Sequence, residues 1–213
     1  MQKRITEFLD VGIPGEFAKG AVTRVRRVDE YIVNTAVTYG KVAAVKGNEI
    51  APVGTGSFTA KAGIVVSPHQ GVSYGTSDGA LVPTMKAKPG QVVALCTIGD
   101  VYVSIPLSVT ASAISGKNSK AEAEAAAKDA LDAAIKTAID GLVRGTDVYY
   151  ANANGEITTS SSSATALGKI CIEPTHAGEA AYTITAAKDD SSSKWGVASP
   201  SASTEVIVAI TIG

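Results

Sequence analysis

The sequence predicts a mainly β protein: a small antiparallel barrel or sandwich with an extended N-terminal arm and one inserted amphipathic α-helix over about 119–143. Three observations predict it. Val101, Val103, Ile105, Leu107 and Val109 fall on every second position, the period of a strand with one buried face. Short β-branched runs elsewhere are punctuated by Gly, Pro and Asn-Gly turn signals. Between Ser119 and Val143 the spacing changes to that of a helix. Three parts follow from these patterns: an arm over 1–20, a β domain made of 21–110 and 146–213, and a helical insertion over 111–145.

Residues 1–20 hold the turn Gly12-Ile-Pro-Gly15 without convincing periodicity before it, which reads as an arm that orders against a partner. Val22–Val28, Tyr31–Val37 and Lys41–Val45 read as short strands, the last bounded by Gly47-Asn48. A Gly-rich connection over 51–63 leads to the strand at Ile64–Val66, and 67–79 reads as loop. Gln91–Ile98 is a continuous apolar run, and Gly99-Asp100 is the two-residue link expected to fold it against 101–110 as a hairpin. Pro106 removes a ladder donor, so that strand is expected at a sheet edge or broken there.

In the insertion, Leu131, Ile135, Ala138, Ile139 and Leu142 form the apolar stripe. Ser119 with Glu122 makes a capping box, and Gly145 after Arg144 is the expected stop. The stripe is expected to pack on the chain's own barrel or on a neighbouring subunit. Beyond it, Asp147–Tyr150 and Glu156–Thr159 flank Asn154-Gly155, a type I′ hairpin signal. Ala166–Ile172 reads as a strand, 173–180 and 188–203 as loops, and Glu205–Ile212 as an apolar terminal strand that closes a sheet.

Composition excludes several classes. The formal net charge of −1 gives no global field for nucleic acid or a membrane surface. Only the first 27 residues are mildly basic, with Arg24, Arg26 and Arg27 at their end, which fits contact with an acidic protein surface or a merely solvated face. Cys96 and Cys171 lie in apolar runs without CxxC spacing and read as buried reduced thiols. The N-terminus lacks the apolar centre of a signal peptide, and the longest uncharged run is broken by Pro106 and several Ser, so a soluble protein is expected.

Tests for chemistry find little. Gly71-Val-Ser-Tyr-Gly75 matches G-x-S-x-G, yet that elbow needs a strand before Ser73 and a helix after it, and both flanks read as turn. His69 or His176 with Asp78 or Asp147 would have to complete a triad. Ser191-Ser-Ser-Lys194 satisfies S-x-x-K inside a Ser run, without its companion motifs. Isolated histidines and core cysteines do not make a metal site, and no phosphate-binding loop is present. No catalytic residue, metal or cofactor is expected.

One resemblance adds to this reading. Lys88-Pro-Gly-Gln-Val-Val-Ala-Leu-Cys-Thr-Ile-Gly-Asp-Val-Tyr-Val-Ser-Ile105, Gly145-Thr-Asp-Val-Tyr-Tyr150, Asn154-Gly-Glu-Ile-Thr158, Ala166-Leu-Gly-Lys-Ile170 and the terminal strand follow one another in order. This order resembles the structural cement, or head decoration, proteins of tailed bacteriophages. Gly12–Glu16 and the run to Val42 look similar to that family's arm and first strands, whereas the helix over 119–143 departs from it. The resemblance implies a non-enzymatic protein, made in the host cytoplasm, on the outer surface of the virion. It would bridge major capsid protein subunits and associate with sister copies, a trimer being favoured over a dimer. Its capsid-facing residues would be Ile5, Phe8, Ile13, Pro14 and Phe17 of the arm, with Arg24, Arg26 and Arg27. A second reading, from another class, is a carbohydrate- or host-surface-binding β module, for which the adjacent Tyr149 and Tyr150 are the supporting feature.

Overall fold

The computed structural model describes residues 14–18, 26–58, 60–66, 86–174, 178–189 and 193–213. They fall into two compact units, one of Met1–Ile105, Val143–Thr175 and Ile207–Gly213, the other of Pro106–Leu142 and His176–Val206.

The first unit is built on a closed five-stranded barrel. Its strands are β1 (Arg27–Val33), β3 (Val42–Lys46), β4 (Glu49–Pro52), β5 (Ala60–Val66) and the first half of β7 (Val92–Thr110). The ring runs β1-β4-β3-β5-β7 and closes because β1 also pairs with β7. The β3–β4 turn is the two-residue Gly47-Asn48 link, with Lys46 opposite Glu49 and Gly47 at a φ of 62°. Four of the five pairings are antiparallel, and β1–β4 is parallel. β2 (Val37–Thr38) and β6 (Lys86–Ala87) form a separate short pair. Alternate residues turn inward, so Val33, Val37, Ala43, Ile50, Val65, Ala87, Val93 and Leu95 make one buried cluster. Each large aliphatic side chain removed from water there contributes roughly 1.5–3 kcal/mol.

Beside the barrel the same unit carries β9 (Asp147–Ala151), β10 (Ile157–Thr158), β11 (Ala164–Ile172) and the end of β15 (Ser201–Ile212), paired in the order β15-β11-β9-β10. The β9–β10 hairpin forms as the sequence predicts, but not through a type I′ turn. Gly155 is at a φ of 69° while Asn154 is not at positive φ. Instead the Gly155 N–H donates to the Ala151 carbonyl at 2.8 Å, and the Asn154 carboxamide oxygen accepts from the Glu156 N–H at 3.0 Å. The side chain of Asn154 supplies what a second left-handed residue would have supplied.

The expected hairpin at Gly99-Asp100 does not form, because β7 is one strand of 19 residues that passes straight through those positions. A hairpin needs its two arms to pair with each other. Here Val92–Ile98 is already held by β1 and, over Ala94–Cys96, by β5, and β7 also pairs with β15. Gly99 keeps a φ of 144°, and a Cβ there would lie 3.3 Å from the Cys96 sulfur, so the glycine serves close packing and not a turn. Pro106 neither breaks the strand nor ends it. It stands where the chain leaves the first unit for the second.

The second unit holds α1 (Lys120–Asp140), the single helix among the described residues. With it are β8 (Ile114–Lys117), β12 (Ala181–Thr183), β13 (Ala186–Lys188), β14 (Trp195–Val197) and the adjoining parts of β7 and β15. Ser119 caps α1, accepting from the Glu122 N–H at 3.2 Å, while the Glu122 carboxylate accepts from the Asn118 N–H at 3.1 Å. The helix ends at Gly141, four residues before the predicted stop. Gly145 instead donates its N–H to the Ile170 carbonyl and leads into β9. The buried stripe is Ala123, Ala127, Leu131 and Ile135, spaced by four, so it starts two turns earlier than the predicted one. Ala123 and Ala127 pack on Ile114, Trp195 and Val197, and Leu131 and Ile135 on Val109, Ala180, Ile184 and Ala202. The stretch over 188–203, predicted as loop, contains β14 and the start of β15. β14 is too short for its alternation to show in sequence.

Candidate interaction surface at the arm

Pro14–Ala18 runs antiparallel to β7 as a turn and bend joined to it by one isolated bridge and three backbone hydrogen bonds. The Gly15 N–H donates to the Tyr102 carbonyl at 2.8 Å, the Tyr102 N–H to the Glu16 carbonyl at 2.9 Å, and the Ala18 N–H to the Asp100 carbonyl at 2.9 Å. Phe17 bridges to Val101. The chain turns here on two glycines that touch. A Cβ on Gly15, at a φ of 90°, would lie 2.9 Å from the Gly40 nitrogen, and one on Gly40, at 76°, would lie 2.5 Å from the Pro14 Cβ. Only residues without a Cβ allow that approach in that conformation.

The Arg26 guanidinium sits 4.5 Å from the centroid of the Phe17 ring, a cation–π contact. Arg27 reaches Asp29 at 3.4 Å on the exposed face of β1. The structure therefore brings Phe17 and Arg26 into contact, with Pro14 three positions before Phe17 against Gly40 and Arg27 next to Arg26 in sequence. Phe17 and Pro14 are half-buried against their own chain, whereas Arg26 and Arg27 are exposed. Ile5, Phe8, Ile13 and Arg24 lie outside the described residues, as do Ser73, His69, Asp78 and His176 of the nominal hydrolase pattern.

Below the anchor, Asp100 is buried and accepts a hydrogen bond from the Thr211 hydroxyl. The Cys96 thiol donates to the Ile98 carbonyl at 3.2 Å. Burial pushes it up to about 11, partly offset by that hydrogen bond and by Arg26. Burial also raises the Cys171 thiol. Both cysteines are free.

A groove of about 610 Å³ on the first unit is lined by Arg144, Asp147, Lys169, Cys171, Thr211 and Gly213. Asp147, the residue offered above as a triad orienter, is ion-paired there with Lys169. Among the described residues no group of three or more His, Cys, Asp or Glu side chains converges. No helix among them is long and apolar enough to cross a membrane.

Tyr149 and Tyr150 do not make an exposed aromatic pair, because Tyr150 is buried and Tyr149 half-buried in β9. Trp195 is half-buried against the Ala123 and Ala127 face of α1. One cluster is only half announced by the sequence. The Tyr182 hydroxyl donates to Asp132, Lys128 donates to the same carboxylate at 3.0 Å, and the Lys128 ammonium lies 5.0 Å from the Tyr182 ring centroid. Lys128 and Asp132 are a helical i, i+4 pair that could have been foreseen. Tyr182 is fifty positions away in sequence, and only the fold brings it there.

No family model matches the sequence, and no curated protein matches it. Among solved structures, the chain is similar to one from the capsid of Myoviridae phage XM1, with 15% sequence identity and a TM-score of 0.41 over 89% of this chain and 90% of that one.

Proposed function

We propose that this chain is a non-enzymatic structural protein of a phage head, a cement or decoration protein that binds the outer surface of the shell and bridges major capsid subunits. The observation that carries the reading is the anchor of the arm. Pro14–Ala18 is tied to β7 by three backbone bonds, so the residues before it start from a fixed point on a closed barrel. A rigid body with an extension of that kind suits repeated bridging between neighbours, each weak contact raising the effective concentration of the next. The order of short motifs resembling head decoration proteins supports the same reading. In it Ile5, Phe8 and Ile13 reach the capsid, Pro14 and Phe17 hold the base of the arm, and Arg24, Arg26 and Arg27 flank it. Contacts available only on the expanded lattice would stabilise that lattice by mass action.

Co-sedimentation with expanded capsids and with unexpanded procapsids tests this. Saturable binding to the expanded form alone is expected. Removing residues 2–13, which leaves the anchor in place, is expected to abolish binding while the far-ultraviolet spectrum stays unchanged. Undiminished binding by that truncated chain would overturn the assignment of the arm, and no binding by the full chain would overturn the function.

A further inference from the structure

Among the described residues β1 has an open edge. On its β7 side it is paired from Arg27 to Ile32, but on the other side β4 meets only Ile32 and Val33. Among the described residues no strand lies against that second edge from Arg27 to Tyr31. The backbone directions there are fixed by their neighbours. The Ile32 N–H donates to Asn48 and the Asn34 N–H to Ile50, both toward β4, while the Val33 N–H donates to Gln91, toward β7. Alternation therefore turns the N–H and C=O groups of Val28 and Glu30 toward the open edge. Val28 is an exposed apolar side chain on this strand, 40% accessible, with the cross-strand pair Ile32 and Val92 at 46% and 59% further along. An unpaired edge with apolar side chains is a template for another strand.

The side chains indicate which strand. Arg26-Arg27-Val28-Asp29-Glu30 is antisymmetric in charge about Val28. Laid antiparallel on a second copy of itself with Val28 opposite Val28, it sets Arg26 opposite Glu30 and Arg27 opposite Asp29, then the same pairs in reverse. Opposite charges facing each other across an antiparallel pair stabilise it, and like charges destabilise it. Val28 and Glu30 carry the outward backbone groups, and in this register the two Val28 residues face each other and exchange both hydrogen bonds. We propose that two copies of this chain associate here, β1 against β1, about a two-fold axis at Val28. The contact is isologous, each side supplying the same patch. It goes beyond the capsid reading and does not depend on it.

The test is sedimentation equilibrium of the full chain without capsids. A dimer is expected, its association constant falling roughly tenfold as salt rises from about 0.05 to about 0.5 M. Two charge variants fix the register. The chain carrying Arg26→Glu and Arg27→Asp, and the chain carrying Asp29→Arg and Glu30→Arg, are each expected to stay monomeric and to form a 1:1 dimer when mixed. Heterodimer formation also shows that both variants are folded. A wild-type chain monomeric at every concentration overturns the proposal. So does an oligomer whose association is unchanged in both single-sign variants.

Discussion

At the scale of single residues, the strongest constraints are steric and electrostatic ones around the arm. Gly40→Ala would drive a methyl group into Pro14, and φ at that position is already in the left-handed region. The arm must shift to relieve it. The expected result is faster hydrogen exchange at the Gly15, Ala18 and Tyr102 amides, with little change in the strands on the far side of the barrel. Gly47→Ala is the control. Its φ of 62° carries the same backbone penalty, but nothing lies within reach of the added carbon. Cys96 gives a pH dependence. Its folded pKa is about 11, against an ordinary value of 9.0, because burial disfavours the thiolate. A raised pKa means the thiol's contribution to stability is complete below pH 9 and is lost as pH rises through about 11. Cys96→Ala is expected to flatten the loss of stability over that alkaline window in chemical denaturation. The native wild-type chain should leave Cys96 unlabelled by maleimide at pH 7. These residue-level facts were only half legible in sequence. The apolar run around Cys96 announces a buried thiol, whereas nothing local says that Gly15 and Gly40 touch.

At the scale of elements, local signals are legible in the sequence and the choice of strand partners is not. The strands expected at 41–45, 147–150 and 166–172, the Gly47-Asn48 turn and the Ser119 cap depend on neighbours within a few positions, and the structure places strands at Val42–Lys46, Asp147–Ala151 and Ala164–Ile172 with the turn and the cap in place. The hairpin at Gly99-Asp100 failed because its chemistry permits a turn without requiring one. Which strand pairs with β7 is decided by β1, β5 and β15, all distant in sequence. The helix illustrates the same limit. Its spacing of four is visible, but an Ala-rich stripe gives little contrast, so the larger residues near the end dominate the sequence pattern while Ala123 and Ala127 are the ones buried in its first half. Their burial follows from Trp195 and Val197, which small side chains allow to approach. Leu131 sits in the middle of that face and is fully buried. Leu131→Ala is expected to lower the free energy of unfolding by about 2–4 kcal/mol, measured in urea, with the barrel's amides retaining their protection.

At the scale of the molecule, the fold class was legible because a mainly β chain with one helix is written in periodicity, which leaves barrel and sandwich both open. The closure of the ring was not, since it rests on the pairing of β1 with β7, sixty positions apart where Ile32 meets Val92. The candidate surface divides the same way. The mildly basic segment and the arm were visible, but the anchor on β7 and the contact of Arg26 with Phe17 are products of the tertiary structure. The edge of β1 that stays open among the described residues was hidden for the opposite reason. An edge is defined by the strand that fails to arrive, and no residue encodes that failure.

The uninterrupted course of β7 has a mechanical consequence. Within the barrel its first half is flanked on one side by β1 and on the other by β5, both antiparallel. A tension directed along β7 therefore loads the hydrogen bonds of two ladders together and in shear, so that they must rupture as a set. The same bonds in a hairpin pulled from its open end would be peeled one pair at a time. A chain that carries tension along such a strand resists stretching better than a hairpin holding the same number of bonds would.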